Sequence, residues 1–194
     1  MKHIFIKGMS SRTFVLLHGT GGNEHDLLEI GKFLDPNANL LGIRGNVVEN
    51  GMPRFFKRLG MGVFDIENLK EETNNLIDFI EKAIVDYHLN RDELIILGYS
   101  NGANIMASML YNDKFNYSKL IMLHPMRPFK ELEMPNRNTR IFIGYGRTDR
   151  MISPTEALGL IKLINNAKIP LQVFESPGGH EITINELNAV KAYI

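Results

Sequence analysis

Leu94-Ile95-Ile96-Leu97-Gly98-Tyr99-Ser100-Asn101-Gly102 is an apolar run that leads directly into the pattern G-x-S-x-G. Apolar residues then recur at helical spacing from Ala103 to Leu110. The segment therefore predicts a strand, a tight turn that carries Ser100, and a helix. Glycines two residues to either side of such a serine are needed because helix and strand approach too closely for a Cβ atom. Ser100 is thus a candidate nucleophile, and an ordinary glycine-rich turn is the alternative.

Short apolar runs and helical patterns alternate along the whole chain. Seven runs are interpreted as strands, at 3–7, 13–18, 40–44, 93–98, 119–124, 140–145 and 171–175. Several of them are continuously apolar, which is typical of strands that are covered on both faces. The sequence therefore predicts an α/β fold with a doubly wound, mostly parallel sheet and helices on both faces.

Three further segments have helical signals besides the one after the serine. Apolar residues recur at steps of three and four from Ile66 to Leu89. A second helix is expected to begin at Ser153-Pro154, because a capping serine and a proline are followed by Glu156 in the capping-box position. A third apolar stripe, from Ile184 to Ile194, predicts a C-terminal helix.

Length and composition limit the class of protein. The 194 residues suffice for a single domain, residues 1–194, with a sizeable core. The 22 basic residues balance the 22 acidic ones, so there is no net charge to attract nucleic acid. The chain has no cysteine, which excludes disulfides and a cysteine nucleophile, and no apolar run is long enough to cross a membrane. We expect a cytoplasmic protein with no nucleic-acid partner and no membrane insertion.

A serine hydroxyl needs a base to become a nucleophile, and the base needs an acid to hold its tautomer. Asp149 follows the predicted strand 140–145, and His180 follows the predicted strand 171–175. Because the carboxyl ends of parallel strands meet at one edge of a sheet, both side chains are expected close to the serine. There is an alternative interpretation for each residue: Asp149 could cap the next helix, and His180 could be a solvated loop residue. Weaker candidates for the same roles are Asp65, Asp92, Asp113 and His124.

The glycine-rich loop His18-Gly19-Thr20-Gly21-Gly22-Asn23 follows the second predicted strand. Such a loop can direct backbone N–H groups at a developing oxyanion, and we assign the two donors to the amides of Thr20 and Asn101. A phosphate-binding loop is the alternative, but the spacing G-x-G-x-x-G and a Walker lysine–serine pair are both missing. His18 itself is expected to be structural.

Four motifs are specific in combination. They are His18-Gly-Thr-Gly-Gly-Asn-Glu, Arg44-Gly-Asn with Asn50-Gly-Met-Pro-Arg-Phe-Phe, Gly98-Tyr-Ser-Asn-Gly-Ala-Asn, and Pro177-Gly-Gly-His. Together they resemble the phospholipase/carboxylesterase family of α/β-hydrolases, most of all the small bacterial carboxylesterases associated with hydroquinone resistance. The resemblance covers the whole chain. It implies an α/β-hydrolase fold without a cap domain, action on carboxylic esters and no cofactor. It puts Ser100, Asp149 and His180 in the triad positions and Thr20 in the oxyanion loop.

Two segments are candidates for the walls of the substrate site. Residues 125–139, where this fold often has a lid, are few and include three prolines, so we expect no helical cap. Residues 47–65 are long for a connection and have no clear period, and we interpret them as a flap that lines the pocket. The apolar residues of this flap include Met52, Phe55, Phe56, Leu59, Met61 and Phe64.

The candidate substrate-binding residues are Phe55 and Phe56 of the flap, Gly21 and Met126. Packing of the flap aromatics in the ordinary core is the alternative. We expect Arg54, Lys57 and Arg58 on the solvent side of the flap, where their charges would favour an acidic substrate. The six histidines lack metal-binding spacing, so no metal ion is expected.

These residues predict a serine carboxylesterase that cleaves a small-molecule ester through a Ser-His-Asp triad and an acyl-enzyme intermediate. A thioesterase or a lysophospholipase would use the same residues. A catalytically silent α/β-hydrolase that binds a ligand or partner is an alternative of a different class. Whether the chain forms a homodimer is left open by the sequence.

Overall fold

A computed structural model describes residues 1–60, 62–130 and 132–194. Its strands are β1 (His3–Ile6), β2 (Thr13–Leu17), β3 (Asn39–Ile43), β4 (Val47–Glu49), β5 (Met52–Arg54), β6 (Arg58–Gly60), β7 (Val63–Phe64), β8 (Leu94–Tyr99), β9 (Lys119–Leu123), β10 (Arg140–Gly146) and β11 (Leu171–Ser176). Seven of these strands form one central sheet in the order β1-β3-β2-β8-β9-β10-β11. The other four form two small hairpins, β4-β5 and β6-β7.

The order of the central strands creates the crevice in which a site can form. Only β1 runs antiparallel to its neighbour, and the remaining pairs are parallel. From β2 the chain crosses first to β3 on one side and later to β8 on the other side. Ligands in such sheets bind at the carboxyl ends of the strands where the order reverses. Leu17 and Gly98 are paired in register, so the loops after β2 and β8 begin side by side.

Helices cover both faces of the sheet. They are α1 (Leu28–Leu34), α2 (Ile66–Asp86), α3 (Asn101–Met109), α4 (Pro154–Asn166) and α5 (Ile184–Tyr193), with a short 3-10 helix at Arg91–Glu93. Buried residues of α2, α3 and α4 form one core with the sheet, and those of α1 and α5 form a second core on the opposite face. Alternate residues of β2 from Phe14 to Leu17 enter the two cores, which explains why all four are apolar.

The predicted fold class is confirmed, and all seven predicted strands are present with ends within one residue of those expected. Helix α2 ends at Asp86, three residues before the predicted end. The short helix α1 was not predicted, since it buries few residues and its N-cap, Leu27, provides no side-chain hydrogen bond. A capping box is present at α5, between Thr183 and Glu186, and not at α4, where the Ser153 hydroxyl accepts from the Thr155 N–H.

Residues 47–65 are more regular than their sequence suggested. The turn between β4 and β5 is Asn50-Gly51, and both residues have positive φ, 52° and 78°. This conformation is typical of a two-residue hairpin turn, for which Asn-Gly is the strongest short sequence signal. The flap is therefore two hairpins joined by a short connection. Met61, which we assigned to the flap, lies outside the described residues.

The flap aromatics Phe55 and Phe56 lie in the connection between the hairpins and are fully buried. Phe56 packs edge-on against Phe64, with ring centroids 4.9 Å apart, and Phe55 packs against His18 at 4.8 Å. Both rings belong to the core that α2, α3 and α4 form with the sheet. The prediction that they line the substrate pocket was wrong, because the connection between the hairpins directs both rings into this core.

The segment between β9 and β10 matches the expected lack of a cap. In its described parts, 124–130 and 132–139, it forms neither helix nor strand. Within the described ranges, every helix is too short or too polar to span a lipid bilayer.

Candidate active site

Ser100 occupies a strained turn between β8 and α3. Its backbone has φ of 52° and ψ of −111°, a conformation that few residues other than glycine adopt. A Cβ atom on Gly98 would lie 2.7 Å from the backbone of Gly102, and one on Gly102 would lie 2.1 Å from the Leu17 carbonyl oxygen. The two glycines of the motif are thus required by backbone packing. This turn holds the Ser100 side chain beyond the carboxyl end of β8.

Two hydrogen bonds join Ser100, His180 and Asp149. His180 Nε2 lies 2.9 Å from Ser100 Oγ, and its Nδ1 lies 2.6 Å from Asp149 Oδ2. The three residues come from the loops after β8, β11 and β10, so the parallel sheet brings together positions that are far apart in sequence. Asp149 can hold the imidazole in the tautomer whose Nε2 accepts the serine proton.

Asp149 is held as a carboxylate by donors on both of its oxygens. Burial of the carboxyl group acts to raise its pKa, but hydrogen bonds from the Ile152 N–H, from His180 and from the Met151 N–H outweigh this and lower it. Oδ1 accepts the two backbone N–H groups at 2.8 and 2.9 Å, which leaves Oδ2 for the imidazole. The aspartate also orders the turn that leads to α4, which was the alternative considered for it.

Hydrogen bonds between loops fix the distance between the aspartate and the histidine. The Thr148 N–H donates to the Gly178 carbonyl at 3.0 Å, and the Arg147 N–H donates to the Ser176 carbonyl at 2.8 Å. The Tyr99 hydroxyl donates to the His180 carbonyl at 2.8 Å. These contacts connect three strand ends, so the histidine ring is held in place by backbone as well as by its side-chain partners.

His124, the rival histidine, lies behind the aspartate and not beside the serine. Its ring is buried between two carboxylates, with Nδ1 3.5 Å from Asp149 Oδ2 and Nε2 3.4 Å from Glu186 Oε2. Ligand atoms of His124, Asp149 and His180 lie within 4.8 Å of one another, close enough to hold a metal ion. The hydrogen bond between His180 and Asp149 brings two of these residues together, and His124 lies next to the same carboxylate oxygen.

The glycine-rich loop packs directly against the serine turn. A Cβ atom on Gly19 would lie 3.6 Å from the Ser100 Cβ and 3.0 Å from the Tyr99 ring. Asn101 is the first residue of α3, so its N–H has no acceptor within the helix. The Thr20 N–H likewise has no acceptor among the described residues. These two predicted oxyanion donors are thus available at the carboxyl ends of adjacent strands.

His18 has a structural environment, as expected. Its Nδ1 donates to the Gly19 carbonyl at 2.6 Å, and its Nε2 accepts the Gly45 N–H at 3.1 Å. Burial has the largest effect and lowers the pKa of His18, although the hydrogen bond to Gly19 acts to raise it. The neutral ring connects the oxyanion loop to residue 45, which belongs to one of the motifs that carried the family resemblance.

A cavity of about 250 Å³ opens above Ser100. It is lined by Thr20, Arg54, Arg58, Gly62, Phe64, Ser100, Asn101, Asn104, Met126, Arg150, Met151, Ile152 and His180. Met126 therefore occupies the predicted position. Gly21 does not, because its N–H donates to the Pro53 carbonyl at 2.9 Å and holds the loop to β5. The buried rings of residues 55 and 56 are likewise absent from this wall.

Arg54 corrects another prediction, because it faces the cavity and is buried. Its side chain is only 5% exposed, whereas we had expected it on the solvent side with Lys57 and Arg58. Arg58 also contributes to the cavity wall, and Lys57 is exposed. Sequence reasoning missed Arg150 and Asn104 of the wall. Arg150 follows the aspartate directly, so its position beside the site could have been inferred.

A known protein that is similar to this chain over its whole length is named as a hydrolase. No model of a known protein family matches the chain. The chain is similar to the protein named putative hydrolase MhqD of Bacillus subtilis (strain 168). The two sequences are 45% identical over 194 residues, which cover 100% of this chain and 97% of that protein.

Solved structures with the same fold include carboxylesterases. The structure of the Bacillus cereus carboxylesterase has a TM-score of 0.95 and 39% identity, covering 100% of this chain and 92% of that one. The structure of YahD with malic acid has a TM-score of 0.92 and 32% identity, covering 99% and 97%. A carboxylesterase from Mesorhizobium loti has a TM-score of 0.90 and 26% identity, covering 96% and 89%.

Proposed function

Since the chain belongs to the carboxylesterase family of α/β-hydrolases, we propose that it is a serine esterase with Ser100 as nucleophile, His180 as base and Asp149 as the supporting acid. In this proposal residues 1–194 act as a single catalytic domain. The reaction proceeds through an acyl-enzyme, and the Thr20 and Asn101 amides form the oxyanion hole. The substrate is a small carboxylic ester.

The observation that supports the proposal best is the continuous pair of hydrogen bonds from Ser100 through His180 to Asp149. Both distances, 2.9 and 2.6 Å, are within the range in which a proton is transferred or shared. The serine hydroxyl would be a weak nucleophile alone, and the imidazole at this distance removes its proton as the oxygen attacks. The aspartate then stabilises the imidazolium, because its carboxylate remains ionised.

In the first half of the reaction, Ser100 Oγ forms a bond to the ester carbonyl carbon and its proton moves to His180 Nε2. The carbonyl oxygen gains the negative charge and accepts hydrogen bonds from the two backbone amides. The tetrahedral intermediate then breaks its bond to the alcohol oxygen. His180 returns the proton to that oxygen, and the alcohol leaves. The acyl group remains esterified to the serine.

In the second half, water replaces the alcohol. His180 Nε2 accepts a proton from the water as its oxygen attacks the acyl carbon, and the same amides hold the oxyanion. Collapse of this intermediate releases the carboxylic acid and returns the proton to Ser100 Oγ. No cofactor is needed for either half, because every proton and electron pair is supplied by substrate, water or the three side chains.

Thioesters and lysophospholipids would react through the same atoms, so the catalytic residues do not distinguish them from esters. The small cavity favours a compact ester over a long-chain lipid. A silent binding protein is the other alternative. It would have no need for a strained serine in hydrogen-bond contact with a histidine that is itself held by a carboxylate.

A serine-reactive fluorophosphonate probe tests the proposal directly. The purified protein should be labelled stoichiometrically at Ser100 and should hydrolyse p-nitrophenyl acetate. Ser100→Ala should lose both properties while retaining its circular dichroism spectrum. Ser118→Ala, which changes an exposed serine before β9, is the matched control and should retain both. A folded wild-type protein that is neither labelled nor active would favour the binding protein.

A further inference from the structure

Three arginines and no acidic residue line the described wall of the cavity above Ser100. Arg54, Arg58 and Arg150 contribute their side chains, and none of the other ten lining residues is an aspartate or a glutamate. Acyl transfer from a neutral ester needs no cation at this position, because backbone amides hold the oxyanion. The charges therefore need an explanation outside the reaction itself.

Arg54 is the most constrained of the three. Its Nη1 donates to the Thr20 hydroxyl at 3.0 Å, and its Nε donates to the Phe56 carbonyl at 3.2 Å. Burial of the guanidinium lowers the pKa of Arg54 most, repulsion by Arg58 lowers it further, and Glu49 has the opposite effect. Arginine nevertheless stays protonated in proteins. A positive charge is thus held rigidly beside the oxyanion loop.

The nearby carboxylate of Glu49 does not balance this charge. Glu49 lies 2.7 Å from Arg58 Nε and 3.5 Å from Arg54 Nε, so one anion is shared by two guanidinium groups. It stands behind the arginines and does not line the cavity. Arg150 is exposed at the cavity wall, and no ion pair among the described residues includes it. The site therefore has an excess of positive charge that faces the space where the substrate binds.

We propose that the natural substrate is an ester that carries a carboxylate, which Arg54, Arg58 and Arg150 bind while the ester carbonyl lies at Ser100. This inference rests on the proposed esterase function and specifies its substrate class. A guanidinium offers two parallel N–H donors that match the two oxygens of a carboxylate. A carboxylate is also the smallest of the common organic anions, which suits a cavity of about 250 Å³. The apolar wall at Phe64, Met126 and Ile152 leaves room for a short hydrocarbon segment between the two groups.

Two pairs of esters test the proposal and distinguish the side of the ester that carries the charge. On the acyl side, the p-nitrophenyl monoester of adipic acid is compared with p-nitrophenyl hexanoate. On the alcohol side, p-acetoxybenzoate is compared with p-tolyl acetate. Each rate is divided by the uncatalysed rate, which removes differences in intrinsic reactivity. In at least one pair, kcat/KM should favour the carboxylate about ten- to a hundredfold, and added salt should reduce this preference.

Variants of the charged residues show whether the arginines cause the preference. Arg58→Gln, Arg150→Gln and the double variant should lower kcat/KM for the anionic ester far more than for its neutral partner. Glu49→Gln should have the opposite effect and increase the preference, because it frees both guanidinium groups from their shared anion. Arg12→Gln is the matched control. Arg12 lies just before β2, at the amino ends of the parallel strands, and its partner is Asp35, so neither rate should change.

The outcomes separate this inference from the esterase proposal. A protein labelled at Ser100 that hydrolyses neutral esters, but shows a ratio near one in both pairs, would overturn the inference alone. A preference unchanged in the double arginine variant would also overturn it. If Ser100 is not labelled and neither type of ester is hydrolysed, the esterase function itself fails. If an arginine variant does not fold, Glu49→Gln still tests the inference, because an increased preference for the anionic ester would support it and a decreased one would overturn it.

Discussion

The backbone N–H of Phe55 donates a hydrogen bond of 2.7 Å to Oδ1 of Asn101. This contact joins the connection between the two hairpins to the first residue of α3, whose own N–H is a proposed oxyanion donor. Both residues are buried, so the bond is protected from water. Phe55, which we expected to line the substrate site, thus supports the residue whose N–H is a proposed oxyanion donor.

Asn101→Ala should reduce both stability and turnover. The substitution leaves the buried Phe55 N–H without an acceptor, which costs about 1–3 kcal/mol of the free energy of unfolding. It also loosens the start of α3, so kcat for p-nitrophenyl acetate should fall. Urea unfolding and steady-state kinetics measure the two effects. Asn116→Ala, at an exposed site before β9, serves as control and should be neutral. Unchanged stability in Asn101→Ala would mean that the contact contributes little.

Phe55→Ala and Phe56→Ala should destabilise the protein without altering its preference for acyl-chain length. Removal of a fully buried phenylalanine leaves a cavity in the core and costs about 3–5 kcal/mol. Met126→Ala should change the preference for acyl-chain length with a smaller effect on stability. Its side chain lines the cavity above Ser100, and its loss makes room for longer acyl groups. Chemical unfolding and a series of p-nitrophenyl esters provide the measurements. A changed chain-length profile in Phe55→Ala would show that this ring does line the pocket.

His180→Ala should reduce kcat/KM for esters by on the order of 10⁴-fold or more, because base and nucleophile act as a unit. His124→Ala should retain much more activity, since its ring contacts Asp149 and Glu186 and is not one of the three residues of the proposed triad. Asp149→Asn should be severe, because the amide would favour the wrong tautomer. Steady-state kinetics of the folded variants measure these losses of kcat/KM. A greater loss in His124→Ala than in His180→Ala would show that His124 is the base.

Glu24→Gln should show a loss of stability that depends on pH. Burial acts to raise the pKa of Glu24, but backbone hydrogen bonding and the Arg44 guanidinium outweigh it and lower the pKa from 4.5 to about 2. A depressed pKa stabilises the folded state above pH 4.5, and this contribution is lost as the pH falls towards 2. Wild type and variant should therefore differ most near neutral pH and converge in acid.

Urea unfolding at several pH values between neutrality and pH 3 measures the difference between wild type and Glu24→Gln. Glu29→Gln is the control, because that carboxylate is 84% exposed and its pairing with Lys32 lies on the surface. Its effect should be small at every pH. A constant difference between Glu24→Gln and wild type over the whole range would show that the carboxylate charge is not the cause.

Gly102→Ala should prevent formation of the serine turn, because the added Cβ would lie 2.1 Å from the Leu17 carbonyl oxygen. Backbone atoms cannot move aside as side chains do, so we expect a large drop in melting temperature or no soluble protein. Gly60→Ala is the matched control, since no atom of the described residues beyond its chain neighbours lies within 4 Å of its added Cβ. Thermal unfolding compares the two, and similar melting temperatures would contradict the packing argument.

Much of the framework was predictable because its signals are local. Short apolar runs, several of them continuous, identified the seven strands, and glycines around Ser100 identified the turn, since each pattern reflects the backbone of its own segment. The order Ser100, Asp149, His180 followed from strand ends, and the structure brings these side chains together. Helix α1 escaped prediction because it is short and lacks a capping side chain.

The direction of side chains in residues 47–65 could not be predicted in the same way. Two adjacent aromatic residues have no period, and the same residues fit a pocket wall or a core equally well. Contacts of the connection between the two hairpins decided the matter, since the Phe55 N–H is held by Asn101 and the Lys57 N–H by Asn68. Both rings are buried in this arrangement, and Arg54 faces the cavity. The sequence alone determined the strands, the serine turn and the order of the candidate triad. Only tertiary packing decided the charge and shape of the site around them, because a wall is made by residues from separate loops whose orientation depends on contacts distant in sequence.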